Sequence, residues 1–175
     1  MRVIGGEFRS RRIQSMPGMD VRPTPDRLRE TLFNILTPVI GAAVFVDAYA
    51  GSGAVGIEAL SRGARHVVFI EKNRAAAELI RANLDALGAG GRARVVQGSA
   101  ALHLGGIDAD IVFLDPPYPK DREYGAAMEA LEARRSGLVI FQHSSRLELS
   151  EMFGPFARYR VLRQGDNALS FYRAG

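Results

Sequence analysis

A chain of 175 residues, 47% hydrophobic and 24% charged, suffices for one domain with one substantial core. No apolar run approaches the ~18–20 residues that span a bilayer, no secretory pattern opens the chain, and the lack of cysteine excludes disulfides and thiolate metal sites and fits a cytoplasmic protein. The formal charge of +4 is carried by residues 1–29, where seven arginines meet three acids, while the rest of the chain balances.

Val3-Ile4, Gly5-Gly6 and a basic run ending at Arg12-Ile13 predict a short hairpin or extended arm. With the Pro- and Gly-bearing loop that follows, it forms an amino-terminal segment over residues 1–24, and residues 25–175 form the main domain. Thr24 and Pro25 read as N-cap and first turn of a helix over 25–36, closed by Pro38. Strand and helix then alternate. The expected strands are Val44 to Val46, Val67 to Ile70, Ala93 to Val96, Ile111 to Leu114 and Leu138 to Phe141. The helices between them are Ala54 to Ser61, Ala75 to Leu87 and Tyr124 to Arg134. Short, continuously apolar strands separated by helices predict a parallel sheet covered on both faces. Arg158 to Arg163 and Ala168 to Arg173, around Gly165-Asp166-Asn167, predict a hairpin. The fold is therefore α/β, Rossmann-like, with about seven strands, mostly parallel, and an antiparallel carboxy-terminal pair. His66, His103 and His143 lie far apart without ligand spacing, so no metal site is expected.

Two motifs carry chemistry. The first is Asp47-Ala48-Tyr49-Ala50-Gly51-Ser52-Gly53-Ala54-Val55-Gly56, which follows a strand and opens a helix; Glu71 ends the next strand, 20 residues after Gly51. This matches the dinucleotide fingerprint, in which an acid accepts ribose hydroxyls. It admits a nicotinamide dinucleotide or S-adenosylmethionine (SAM). Asp47 favours SAM, because its carboxylate would repel a pyrophosphate and attract the ammonium of a methionine.

The second motif is Asp115-Pro116-Pro117-Tyr118, at the end of the apolar run Ile111 to Leu114. The prolines fix φ and push the preceding residues to extended backbone. An exocyclic base amine is a poor nucleophile, since its lone pair is delocalised into the ring. Two acceptors, the Asp115 carboxylate and the Pro116 carbonyl, can localise that pair. Tyr118 can stack on the base, worth ~1–3 kcal/mol. A sulfonium methyl is already activated, so no metal is required.

At these residues the chain resembles the class I SAM-dependent methyltransferases, and within them the RsmD family, which methylates the exocyclic N2 of a guanine in small-subunit ribosomal RNA. The likeness runs from Met1-Arg2-Val3-Ile4-Gly5-Gly6 through Arg22-Pro23-Thr24, Arg27-Leu28-Arg29-Glu30-Thr31-Leu32-Phe33, the glycine segment, Glu71-Lys72 and the Asp-Pro-Pro-Tyr box to Leu169-Ser170-Phe171-Tyr172. It implies catalytic roles for Asp115, Pro116, Pro117 and Tyr118. SAM would be held by Asp47, Tyr49, Ala50, Gly51, Ser52, Gly53, Glu71, Lys72, Ser99 and Ala100, with the Arg22 to Thr24 loop closing over it. Arg2, Arg9, Arg11, Arg12 and Arg22 would grip 16S ribosomal RNA within a 30S particle or assembly intermediate. The implied enzyme is a cytoplasmic monomer without metal or membrane partner. One departure stands out: where such families place an acid for the adenine amine, this chain reads Gln97-Gly98-Ser99-Ala100, and Ser99 either accepts that amine or caps a short helix. The residues also leave room for a DNA adenine-N6 or protein glutamine-N5 methyltransferase, a non-catalytic RNA-binding assembly factor, and a dinucleotide dehydrogenase.

Overall fold

The computed structural model describes residues 1–18, 24–117 and 121–175. Arg22, Pro23 and Tyr118 lie outside the described residues. The strands are β1 (Val44–Asp47), β2 (His66–Glu71), β3 (Ala93–Gln97), β4 (Ile111–Leu114), β5 (Leu138–Ser144), β6 (Met152–Phe153), β7 (Phe156–Gln164) and β8 (Asn167–Ala174). They form one eight-stranded sheet ordered β3-β2-β1-β4-β5-β8-β7-β6. The first five are parallel to their neighbours, and β8, β7 and β6 join antiparallel. The strand beyond the expected seven is β6, whose two residues are too few to leave a pattern.

Helices α1 (Asp26–Ile40), α2 (Ala54–Ser61), α3 (Arg74–Ala86), α4 (Ala100–His103) and α5 (Asp121–Leu131) cover the sheet. Alternation along the strands divides the core. Phe45, Val67, Phe69, Phe113, Ile140 and Phe171 face α1, α2 and α3. Val46, Val68, Ile70, Val112, Leu114, Phe141 and Tyr172 face α4 and α5. This is the period-2 signature of a sheet buried on both sides.

Two expectations at α1 change. Pro25, not Thr24, is the N-cap, and no side chain caps the helix. Pro38 lies inside α1, which runs on to Ile40. A proline removes only one helical hydrogen bond, and in the last turn little helix follows to be disrupted.

The amino-terminal segment is a hairpin welded to the body. Arg2 bridges Arg12, and Val3, Phe8 and Ile13 join the core beneath α1, α2 and α3. Its anchor is a buried charge pair. Glu58, in the middle of α2, accepts the backbone N–H groups of Ile4 and Gly5, both at 2.9 Å, and the Arg62 guanidinium at 3.0 Å. Arg29 of α1 lies 3.8 Å from the same carboxylate and donates to the Arg2 carbonyl at 2.6 Å. Both side chains are fully buried. Burial presses the Arg29 pKa below its ordinary value, against the opposing fields of Glu58 and Asp26.

Candidate active site

In a sheet ordered β3-β2-β1-β4-β5 the winding reverses between β1 and β4, and open α/β sheets take ligands in the crevice beyond the carboxyl ends at that point. β1 ends at Asp47, β2 at Glu71, and Asp115 follows β4 directly. Register places Asp47 beside Phe69 and Phe113, so alternation sets Asp47 and Glu71 on the face that carries α1, α2 and α3.

Asp47 is 1% exposed, and its Oδ2 accepts the Gly56 N–H at 2.9 Å. The reason lies in α2. Its N-cap is Gly53, which has no side chain, so an orphan N–H of the first turn takes its acceptor from the end of β1. Gly56 has a second duty: a Cβ there would stand 2.2 Å from Phe69 Cε1, so only glycine lets α2 press onto β2 this closely. Glu71 uses both oxygens to lock the adjoining turns, accepting the Gly51 N–H at 2.7 Å and the Asn73 N–H at 2.8 Å. Gly51 has φ +56°, and the space where its Cβ would stand holds no atom within 4 Å. The glycine turn is thus fixed from behind and open in front, the form of a loop that a ligand can approach.

Burial pushes the Asp47 carboxyl up to about 7; the Gly56 N–H opposes this and Glu71 adds to it. Burial also pushes Asp115 up to about 7, with the charge of Asp47 adding to it. Two acids of this crevice are therefore held well above the ordinary carboxylate range, Asp115 partly by the charge of Asp47 and Asp47 partly by that of Glu71. An incoming cation would find strong attraction here.

The other expected residues surround this centre. The Tyr49 hydroxyl donates to Glu123 Oε2 of α5 at 3.3 Å, and burial with that carboxylate holds the phenol above its ordinary pKa. The Ala50 N–H donates to the Ile70 carbonyl at 3.0 Å. Ser52 is half-buried, and its carbonyl accepts from Asn83 Nδ2 at 3.4 Å. Lys72 is exposed and Ala100 buried. Ser99 stands at the N-cap of α4, yet its side chain makes no capping bond. Pro116 is buried and Pro117 exposed. Arg2, Arg9, Arg11 and Arg12 are all exposed on the hairpin, with Arg2 bonded to the Ser10 carbonyl and Arg11 to the Ala86 carbonyl. The expected Arg22 and Tyr118 contacts fall outside the described residues.

Two residues that sequence reasoning missed hold the site together. The side-chain amide of Asn83 in α3 accepts the Gln14 backbone N–H and donates to the Gln14 carbonyl, at 3.0 Å each, and so brings the segment leaving the hairpin beside the glycine loop. Gln142 of β5 accepts the Thr24 hydroxyl on Oε1 at 2.9 Å and the Tyr124 hydroxyl on its backbone carbonyl at 3.2 Å. Leu114 pairs with Phe141, so Gln142 is next to the level of Asp115. Thr24 and Gln142 are 118 residues apart, beyond any spacing argument. Among the described residues no three His, Asp or Glu side chains gather as a ligand set, and no helix is long and apolar enough to cross a membrane.

Comparison with known proteins agrees in fold and sequence. The family described as "Conserved hypothetical protein 95" matches residues 1–173. The chain is 31% identical over 182 aligned residues to the putative rRNA methyltransferase YlbH of Bacillus subtilis, covering 99% of this chain and 98% of that protein. It is 48% identical over 120 residues to ribosomal RNA small subunit methyltransferase D of Escherichia coli; that match covers 67% of this chain and 60% of the relative. Among solved structures, the putative methyltransferase yhhF from Escherichia coli superposes with a TM-score of 0.88 at 37% identity, over 99% of this chain and 97% of that one. A putative methylase from Haemophilus influenzae superposes with a TM-score of 0.81 at 28% identity, over 99% and 98%.

Proposed function

The chain belongs to the RsmD family of small-subunit ribosomal RNA methyltransferases, and we propose that it transfers a methyl group from SAM to the exocyclic N2 amine of a guanine in 16S ribosomal RNA. The observation that carries this reading is the meeting of Asp115, Asp47 and the Glu71-locked Gly51 turn at the sheet's switch point.

The residues suit a cationic donor: the turn at Gly51 is open in front, and two carboxyl groups of raised pKa lie beside it. Bound SAM supplies a methyl already activated on a sulfonium. The chain's own part is to hold and orient. Gly51 and Gly53 bring backbone close to the donor, and Glu71, whose two oxygens keep lone pairs beyond the bonds to Gly51 and Asn73, accepts ribose hydroxyls. Asp47 supplies negative potential at the methionine end while pinning α2. Asp115 and the Pro116 carbonyl accept the hydrogens of the target amine and turn its lone pair toward the methyl, and Tyr118 stacks on the base. The proton released after transfer passes to Asp115 or to water. A base inside a helix must be extruded to reach this crevice, at a few kcal/mol, so a looped or exposed guanine suits it.

The decisive experiment offers tritiated SAM to bare 16S ribosomal RNA, 30S particles, DNA and protein; label as N2-methylguanine in the ribosomal RNA is expected, and label confined to DNA or protein overturns the reading. On the hairpin, the guanidinium groups of Arg9 and Arg12 have no bonded partner among the described residues and are free to meet phosphates. The Arg9→Gln, Arg12→Gln double variant should lower the slope of log affinity against log salt by about 2, measured by filter binding; an unchanged slope removes the hairpin from the RNA surface. Deleting the hairpin would be a poor test, since Val3, Phe8 and Ile13 are core.

Gln142 offers a finer check. Gln142→Leu removes the acceptor for Thr24 and leaves a buried hydroxyl unpaired, at about 1–3 kcal/mol, whereas Gln142→Glu keeps an acceptor. Methyl-transfer kinetics should show the Leu variant raising the KM for SAM about tenfold or more and the Glu variant restoring it. Equal defects in both would mean that the Thr24 bond does not shape the site.

A further inference from the structure

We propose that the exposed patch of Tyr159, Arg160 and Arg173, where β7 runs beside β8, is a second RNA-binding platform, which takes backbone phosphates and an unstacked base of the substrate RNA; the proposal rests on the ribosomal RNA reading above.

Residues 156–175 carry four arginines against one aspartate, a local excess hidden by the balance of the chain beyond residue 29. The sheet sorts these arginines by face. Arg158 and Arg163 pair in register with Tyr172 and Ala168, on the α5 side. Both are engaged there: Arg163 with Glu148 at 3.1 Å, Arg158 with the Leu149 carbonyl at 3.2 Å and Glu151 at 4.0 Å. A bulge between Arg158 and Arg160 inserts Tyr159 and turns Arg160 to the other face, opposite Phe171. Arg173 shares that face. Arg173 lies 4.4 Å over the Tyr159 ring, and Arg160 lies 5.8 Å over Phe171. Neither guanidinium has a carboxylate partner among the described residues, and both are exposed. Tyr159 is 46% exposed.

One face thus has its positive charge cancelled and the other does not. Stacking on a ring holds a guanidinium flat while leaving its N–H edge free, which is the geometry for phosphate oxygens. An exposed tyrosine between two such groups gives a splayed base a surface to stack on, as sheet-face aromatics do in RNA-binding modules. Charge complementarity therefore selects a polyanion with exposed aromatic bases. Register sets the platform apart from the crevice: Arg173 pairs with Leu138 and Phe171 with Ile140, at the amino end of β5, whereas Gln142 lies toward its carboxyl end, so the platform would hold RNA that flanks the target base. The hairpin packs beside α3, toward the β3 edge of the sheet, so the two basic surfaces lie at opposite edges.

The test measures binding of the full-length protein to bare 16S ribosomal RNA and to 30S particles between about 50 and 200 mM salt. Arg160→Gln with Arg173→Gln should lower the salt slope by about 2 and raise the KM for RNA with little change in kcat or SAM affinity. Tyr159→Ser should weaken binding with the slope unchanged, because stacking releases no counterions. Arg163→Gln, on the neutralised face, should behave as the parent. A parental slope in the double variant, or an equal loss in Arg163→Gln, overturns the platform. Weakened binding to 30S particles with bare RNA unaffected assigns the surface to a ribosomal protein and overturns it too. So does a self-association, seen by sedimentation, that the double variant abolishes. If the unaltered protein neither binds nor labels ribosomal RNA, the functional reading itself has failed, a result distinct from all of these.

Discussion

Asp115→Asn is expected to slow methyl transfer by about 10²–10⁴-fold and, at the same time, to make the protein more stable above neutral pH. Asparagine keeps the shape but weakens the acceptor for the target amine and cannot take its proton. The stability gain follows from linkage. The folded-state pKa of Asp115 is about 7, against an ordinary 3.8, so between these values the folded state binds more protons than the unfolded chain. Stability contributed by the protonated group is fully present below about pH 4 and is lost as pH rises through 7. Above 7 the ionised Asp115 faces Asp47, whose own pKa is also about 7, and asparagine removes that repulsion. Calorimetry should show a raised melting temperature for Asp115→Asn at pH 8 and little difference at pH 4. For the parent, log kcat/KM should climb with pH and level above about 7, a limb that belongs to the Asp47–Asp115 pair as a coupled unit. Parental activity in the variant would remove Asp115 from the chemistry; a variant less stable than the parent at pH 8 would contradict the buried-charge account.

Glu58→Ala is expected to cost about 3–5 kcal/mol, a large part of the 5–15 kcal/mol typical of a domain. The change leaves the buried Arg29 guanidinium only the exposed Asp26 carboxylate, at 3.3 Å, and strips the acceptor from the Ile4 and Gly5 N–H groups. The hairpin would loosen with it at its first turn, where Ser61 is a second anchor that bonds Phe8 and Gly5 only while the hairpin lies in place. Urea unfolding measures the loss, and hydrogen exchange at Val3, Ile4 and Gly5 locates it. Adding Arg29→Met should recover part of the stability, since a buried charge without its partner is the larger penalty. A loss below 1 kcal/mol in the single variant would show that the pair is not the weld.

The features legible in the sequence were those whose meaning is local. Gly51, Gly53 and Glu71 stand at fixed spacing around two strand ends, and Asp115 is marked by the prolines behind it, so the α/β class and the position of the crevice could be read directly. Charges whose partners are remote could not. Glu58 reads as an ordinary helical surface residue until the hairpin, more than 50 residues away, arrives to bury it. Thr24 carries every local sign of a helix cap, but Gln142 offers a buried acceptor and takes its hydroxyl. Asp47 drew attention as a partner for a ligand, while its bond to Gly56 depends on how β1 meets α2. Arg160 and Arg173 were lost in a neutral sum because only the bulge in β7 turns Arg160 to the face that Arg173 of β8 occupies.

The order β5-β8-β7 has a consequence for synthesis. β8 is translated after β7, yet it is the slat between β7 and the parallel strands. Until residues 167–174 leave the ribosome, β7 and β6 have nothing to dock on, and β5 presents a bare flank of hydrogen-bonding groups. A nascent chain stalled before that point would display the same sticky margin that drives strand-to-strand aggregation. Closure of the sheet in the cell thus waits on one late segment, and a stop codon a few residues upstream of it should yield inclusion bodies rather than a smaller working enzyme.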